Sequence, residues 1–209
     1  MISRLVLLTD RRQAEQAGHD LVELVHAAVG AGVRTVLLRE KDLSVGERLV
    51  LARDIHRSLA PVSGTLIMAS DATAARAVGA GVHLAATDPW PAYTRQPPER
   101  LLVGRSCHSV EELRAADREG ASYATLSPVF PTASKPGYGP ALGLDGLAAA
   151  SDSVPELPVL ALGGVGPGRV AECLAAGAHG VAVMGEVMRA ANPASVVRAL
   201  LAELTEPAQ

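Results

Sequence analysis

Two lysines, Lys41 and Lys135, stand among nineteen lysines and arginines in a chain of 209 residues. Both sit in short polar stretches, "LLREKD" (37–42) and "SPVFPTASKPGYGP" (127–140). An ammonium group is a compact, strongly hydrated point charge, whereas guanidinium is a planar fork. Arg39 lies two residues before Lys41, and Thr132 and Ser134 lie just before Lys135. Three cations with hydroxyls nearby, Ser106 among them, suit a phosphorylated ligand. Asp71 and Asp88 are acceptor-only carboxylates that could share one Mg²⁺, an ion that keeps most of its waters and needs few carboxylates when phosphate is present. Gly163–Gly164 and Gly185 follow apolar runs and could let a phosphate approach backbone N–H groups.

Each residue also has a plainer role. Arg39 and Glu40 could be an exposed ion pair. Asp71 could cap the helix that begins at "ATAAR", and Asp88 before Pro89 could start a turn. His83 could be a packed histidine. Cys107 and His108 are adjacent on a strand-like run and so point to opposite faces, which argues against a Cys–His pair.

Eight short apolar runs could carry these residues: 4–10, 35–40, 65–70, 81–86, 101–106, 123–128, 159–164 and 180–185. Helical periodicity lies between most of them, at 20–31, 44–59, 72–79, 109–119, 143–151 and 167–177, and again at 193–206. The proline-rich stretch 89–100 predicts a loop or one turn. Short strands alternating with helices predict parallel βαβ units. Eight units predict a single (β/α)₈ barrel over residues 1–209. An open doubly wound sheet is the alternative, and no GxGxxG follows the first run to support it. "AGVRTVLLRE", "VGAGVHLA", "EGASYATLS" and "AGAHGVAVM" are alike enough to suggest one repeated unit. In such a barrel chemistry gathers where strands end. Arg39, Lys41, Ser70, Asp71, His83, Ser106, His108, Lys135, Gly164 and Gly185 all lie at or just beyond such ends.

Composition narrows the class. Aromatics are 2% of the chain, so the core must be built from Leu, Val and Ala. A net charge of −3 with no basic stripe disfavours nucleic acid. The first apolar run is too short to cross a membrane. Cys107 and Cys173 lack metal or redox spacing, and Cys173 is expected in a helix core. A cytoplasmic protein acting on small phosphorylated substrates is expected, with a homo-oligomer left open.

"LLREK", "SD…GVHLAATD", "GRSCHS", "SPVFPTASKPGYGPALG", "LALGGV" and "GVAVM" occur in an order that resembles the thiamine phosphate synthase family and its TenI-type thiazole tautomerase relatives. The resemblance spans nearly the whole chain and implies a (β/α)₈ barrel. It implies a transferase joining hydroxymethylpyrimidine pyrophosphate to thiazole phosphate with Mg²⁺, pyrophosphate leaving first. Carried over by position, Arg39, Lys41 and Lys135 would act on the pyrophosphate. Ser70, Ser106, Thr132 and Ser134 would bind the pyrimidine pyrophosphate, and Asp71 and Asp88 would hold Mg²⁺. Gly164, Val183 and Gly185 would receive the thiazole phosphate. This chain departs from the synthase pattern at Leu37 (for Gln), Ser70 (for Asn), Ala85 and Ala86 (for Gly and Gln) and Gly185 (for Ser). Pro128 stands where the tautomerase branch has its catalytic His. A tautomerase with His83 or His108 as base, or a non-catalytic phospho-ligand binder, are the alternatives.

Overall fold

Strand runs such as LVLL and VLAL are apolar at every position, the pattern of strands covered on both faces. In the computed structural model, which describes residues 2–91, 101–132 and 140–205, they form eight parallel strands: β1 (Leu5–Leu8), β2 (Thr35–Leu38), β3 (Thr65–Ala69), β4 (Gly81–Leu84), β5 (Val103–Cys107), β6 (Tyr123–Leu126), β7 (Val159–Leu162) and β8 (Gly180–Val183). They close in sequence order, with β1 paired to both β2 and β8 (Leu7 opposite Val36 and Val183). The chain is therefore a closed (β/α)₈ barrel. Each run is longer than its strand: seven strands stop one or two residues short of the C-terminal end of their runs, and β5 begins only at Val103 and continues to Cys107.

Strand alternation divides the core in two. Leu5, Leu7, Val36, Leu38, Leu66, Met68, Val82 and Leu84 face outward and pack under the helices. Val6, Leu8, Leu37, Ile67, Ala69, Tyr123, Leu160 and Ala182 face inward and fill the barrel. The same alternation places Cys107 in the outer cluster, fully buried. Cys173 is buried in the helix Val170–Ala175.

The helices are α1 (Arg11–Gln16), α2 (Leu21–Gly30), α3 (Val45–Leu59), α4 (Ala72–Ala77), α5 (Val110–Glu119), α6 (Gly143–Asp152), α7 (Val170–Ala175), α8 (Gly185–Met188) and α9 (Pro193–Thr205). Ser44 caps α3 in a reciprocal box with Glu47, and Ser109 caps α5. Two helices were not legible as patterns. The six residues of α1, RRQAEQ, carry one buried side chain, Ala14, and so no apolar period. The helix α8 is a single turn. Most of the proline-rich stretch 89–100 lies outside the described residues, as do Ser134 and Lys135. No helix among the described residues is long and apolar enough to cross a membrane.

Candidate active site

The C-terminal ends of the strands surround one cavity of about 470 Å³, within the usual range for small-ligand sites. Its apolar lining includes Leu8, Leu37, Ala69, Leu162 and Ala182, inward residues at the upper ends of their strands. Leu37, one of the departures from the synthase pattern, is thus part of the apolar floor. Arg39 and Lys41, beyond β2, border the cavity. The backbone there is fixed by Arg39 N–H donating to Thr9 Oγ1 at 3.0 Å. Glu40 turns away from the cavity and is buried, and its Oε1 accepts the Arg11 N–H at 3.1 Å. Burial pushes its carboxyl above the usual range, opposed by its bonds to Thr9 and Arg11. Glu40 therefore anchors α1 and is not the exposed partner of Arg39.

Ser106, Thr132, Gly164, Val183 and Gly185 also border the cavity. Ser106 is held from below by a buried ring pair. His83 Nε2 lies 2.9 Å from Ser106 Oγ, and His83 Nδ1 lies 2.9 Å from the Tyr123 hydroxyl. The two rings stack with centroids 5.5 Å apart. Burial, helped by the charges of Lys41 and Arg105, pushes the His83 pKa down to about 3, so the ring is neutral and weakly basic at pH 7. In a neutral ring one nitrogen donates and the other accepts. Among the described residues His83 Nδ1 is the one partner of the buried Tyr123 hydroxyl, so the arrangement that leaves no hydroxyl proton unpaired has Tyr123 donating to Nδ1 and the ring proton on Nε2. Nε2–H then donates to Ser106 Oγ, and the Ser106 hydroxyl proton is oriented for a ligand acceptor.

This buried histidine predicts acid lability. The unfolded chain takes up the proton below the ordinary value of 6.5, and the folded chain resists until about 3. The stability contributed is complete above pH 6.5 and is lost as pH falls through that window. Between pH 7 and pH 5 the wild type should lose about 2 kcal/mol more than His83→Gln, read from urea melts at the two values. Equal losses in both proteins would remove His83 as the cause.

His108, beyond β5, also borders the cavity. Its Nδ1 lies 2.7 Å from the Ser127 carbonyl, which can only accept, so Nδ1 carries a proton and Nε2 is the basic nitrogen of the neutral ring.

Three of the expected residues stand apart. Ser70, Asp71 and Asp88 do not line the cavity. Ser70 is exposed, at φ 58°, and its N–H donates to the His83 carbonyl at 2.8 Å. Asp71 caps α4 through Ala74 N–H at 2.9 Å, and its other oxygen pairs with Arg48 at 2.7 Å. Asp88 Oδ2 accepts Ala85 N–H at 2.7 Å, closing the loop after β4. Arg105 ties that loop down, donating to the Ala85 and Asp88 carbonyls at 2.8 and 2.6 Å. Both oxygens of Asp71 are thus committed, one to a guanidinium that already balances its charge. Among the described residues no three His, Cys, Asp or Glu gather as metal ligands. Ser134 and Lys135 lie outside the described residues.

Two cations of the site were not legible in the sequence. Arg169, at the start of α7, donates to the Gly164 carbonyl at 2.8 Å and lies 4.5 Å over the Phe130 ring. Arg189 ends α8 and bonds Gln13 Oε1. Both border the cavity. The single turn of α8 makes its dipole small. The charge at this part of the site therefore comes chiefly from the two arginines and not from a helix N-terminus. Arg39, Lys41, Arg169 and Arg189 face Glu186 as the one acid among the described lining residues.

A closed parallel barrel with a cation-lined cavity at its C-terminal mouth defines a (β/α)₈ protein with a small-ligand site. Within that class, residues 5–187 match the model of the thiamine monophosphate synthase family, and the chain belongs to it. A relative from Geobacter sulfurreducens, named provisionally as a thiamine-phosphate synthase, is 41% identical and is aligned over 96% of this chain and 93% of its own. The thiamine-phosphate synthase of Salinibacter ruber is 37% identical, over 92% of this chain and 84% of its own. The solved thiamine phosphate pyrophosphorylase of Pyrococcus furiosus superposes with a TM-score of 0.83 at 28% identity, covering 96% of this chain and 95% of that one.

Proposed function

We propose that this chain is a transferase of thiamine biosynthesis that joins hydroxymethylpyrimidine pyrophosphate to thiazole phosphate and releases pyrophosphate. One observation carries this reading. A single cavity holds two cationic groups, Arg39 with Lys41 beyond β2 and Arg169 with Arg189 beyond β7 and β8, around an apolar floor. That is the chemistry two phosphorylated, flat-ringed substrates need in one site. In the reaction the bond between the pyrimidine methylene carbon and the pyrophosphate oxygen breaks, and its electron pair leaves with oxygen. The thiazole nitrogen then supplies a pair to the cationic carbon. Arg39 and Lys41 meet the charge that grows on the leaving group, where fixed cations lower the barrier most. Ser106, oriented by His83, donates to the same ligand. Lys135 joins this group by family resemblance.

Magnesium stays in the proposal as an ion carried in by the pyrophosphate oxygens, with no residue assigned to it. A cytoplasmic location follows the soluble chemistry of the substrates. The test is direct: supply both substrates, with and without Mg²⁺, and measure thiamine phosphate by thiochrome fluorescence alongside released pyrophosphate. Equimolar products are expected. No thiamine phosphate under any metal condition sinks the proposal. His108 favours one alternative, since it borders the cavity and its ring proton is held on Nδ1 by the Ser127 carbonyl. Metal-independent isomerisation of a thiazole phosphate, abolished in His108→Asn, would establish the tautomerase instead.

A further inference from the structure

Gly185 and Arg189 form a pair that the backbone-binding scheme for the thiazole phosphate does not explain. They open and close α8, four residues apart, and so share a helix face. The guanidinium lies back across Gly185, where an added Cβ would come within 2.7 Å of Arg189 Cζ. Gly185 has no positive φ. The backbone would accept a side chain, so it is the guanidinium, the movable end of a long side chain, that would have to give way to one. The arginine is held from the other side by α1. Gln13 Oε1 accepts from Arg189 Nη1, and Gln13 Nε2 donates to Asp10 Oδ2 at 2.7 Å. The family pattern has serine at this position. Here a glycine makes room for a tethered cation that borders the cavity. Glu186 borders it as well, so an anion entering beside α8 needs a cation to offset that carboxylate.

We propose that Arg189, seated on Gly185, pairs with the phosphate of the second substrate and selects its phosphorylated form over the free alcohol. The identity of that substrate rests on the synthase reading. The selection mechanism rests on this chain's own residues. A guanidinium offers two parallel N–H donors to a phosphate and nothing comparable to a neutral hydroxyl.

Calorimetric binding of thiazole phosphate and of the corresponding thiazole alcohol tests this without turnover. The wild type is expected to prefer the phosphate. Arg189→Gln should weaken phosphate binding about tenfold or more, the worth of a charge-assisted hydrogen bond, and leave alcohol binding nearly as it was. Gly185→Ala displaces the guanidinium and should weaken phosphate binding in the wild type but add little in Arg189→Gln, because the two changes remove one interaction. Thermal melts confirm that each variant is folded, and either variant alone decides the point. Phosphate binding within about twofold of wild type in Arg189→Gln, or a wild type that does not discriminate, overturns the proposal. Thiamine phosphate formation is assayed separately. Its absence with phosphate preference intact removes the synthase reading and leaves the role of Arg189 standing.

Discussion

Gly104→Ala is expected to lower the stability of the barrel by about 3 kcal/mol, the upper part of the range for overfilling a packed core. Gly104 faces inward on β5 between His83 and Tyr123. A Cβ there would overlap the Tyr123 ring and come within 2.5 Å of His83 Nδ1. Tyr123 is fully buried and has no space to retreat, and His83 could move only toward the cavity it borders, away from Tyr123 and out of line with Ser106. The methyl group must therefore break the stack, the Tyr123–His83 hydrogen bond, or the β4–β5 pairing. For a chain of this size the loss corresponds to about 10 °C in Tm. The site should suffer too, because Ser106 loses its donor when His83 tilts. Gly46→Ala is the control. Gly46 lies in the first turn of α3 with nothing within 4 Å of an added Cβ, so the same substitution there should be neutral or stabilising by up to about 1 kcal/mol. Calorimetric melts of the two variants read opposite signs if the ring stack is the cause. A melting temperature for Gly104→Ala within about 2 °C of wild type would show that the rings accommodate the methyl group.

Arg39→Ala should slow thiamine phosphate formation on the order of a hundredfold, about 3 kcal/mol in the barrier, by comparison with loss of a preorganised donor to a developing anion. The effect should fall on kcat and kcat/KM together, because the charge on the departing pyrophosphate is greatest in the transition state. Folding should be nearly unaffected. The Arg39 side chain is half-exposed, and the backbone bond to Thr9 survives truncation. Arg39→Lys should recover only part of the rate, since an ammonium keeps the charge but loses the planar fork. A rise in KM for the pyrimidine substrate with kcat unchanged would assign Arg39 to ground-state binding alone. Near-normal kinetics in Arg39→Ala would place leaving-group stabilisation elsewhere, with Lys41 and Lys135 the remaining candidates.

The barrel was legible because its signals are local. Runs such as TVLL and VLAL are apolar on both faces, and helical periodicity lies between most of them, so each unit declares itself within a few residues. Once eight such units are counted, the fold's own rule says which end carries chemistry. Arg39, Lys41, Ser106, Thr132, Gly164 and Gly185 could therefore be named from position, and Val183 by the family resemblance, and all seven border one cavity. What remained undecided depends on where side chains turn. Asp71 looked like either a helix cap or a metal ligand. Arg48, 23 residues earlier, faces it across α3 and β3 and takes one of its oxygens, a pairing that no spacing in the chain reports. His83 could be packed or catalytic. Burial against Tyr123, 40 residues on, makes it a neutral prop for Ser106. Arg169 and Arg189 were two arginines among seventeen. A long side chain can reach in many directions, and only packing against Phe130, Gly185 and Gln13 picks the one that faces the ligand. Local patterning thus determined the elements and the face that carries the site. Charge balance, proton position and cation number at that face were decided by contacts between residues far apart in the chain, which form only when the barrel closes.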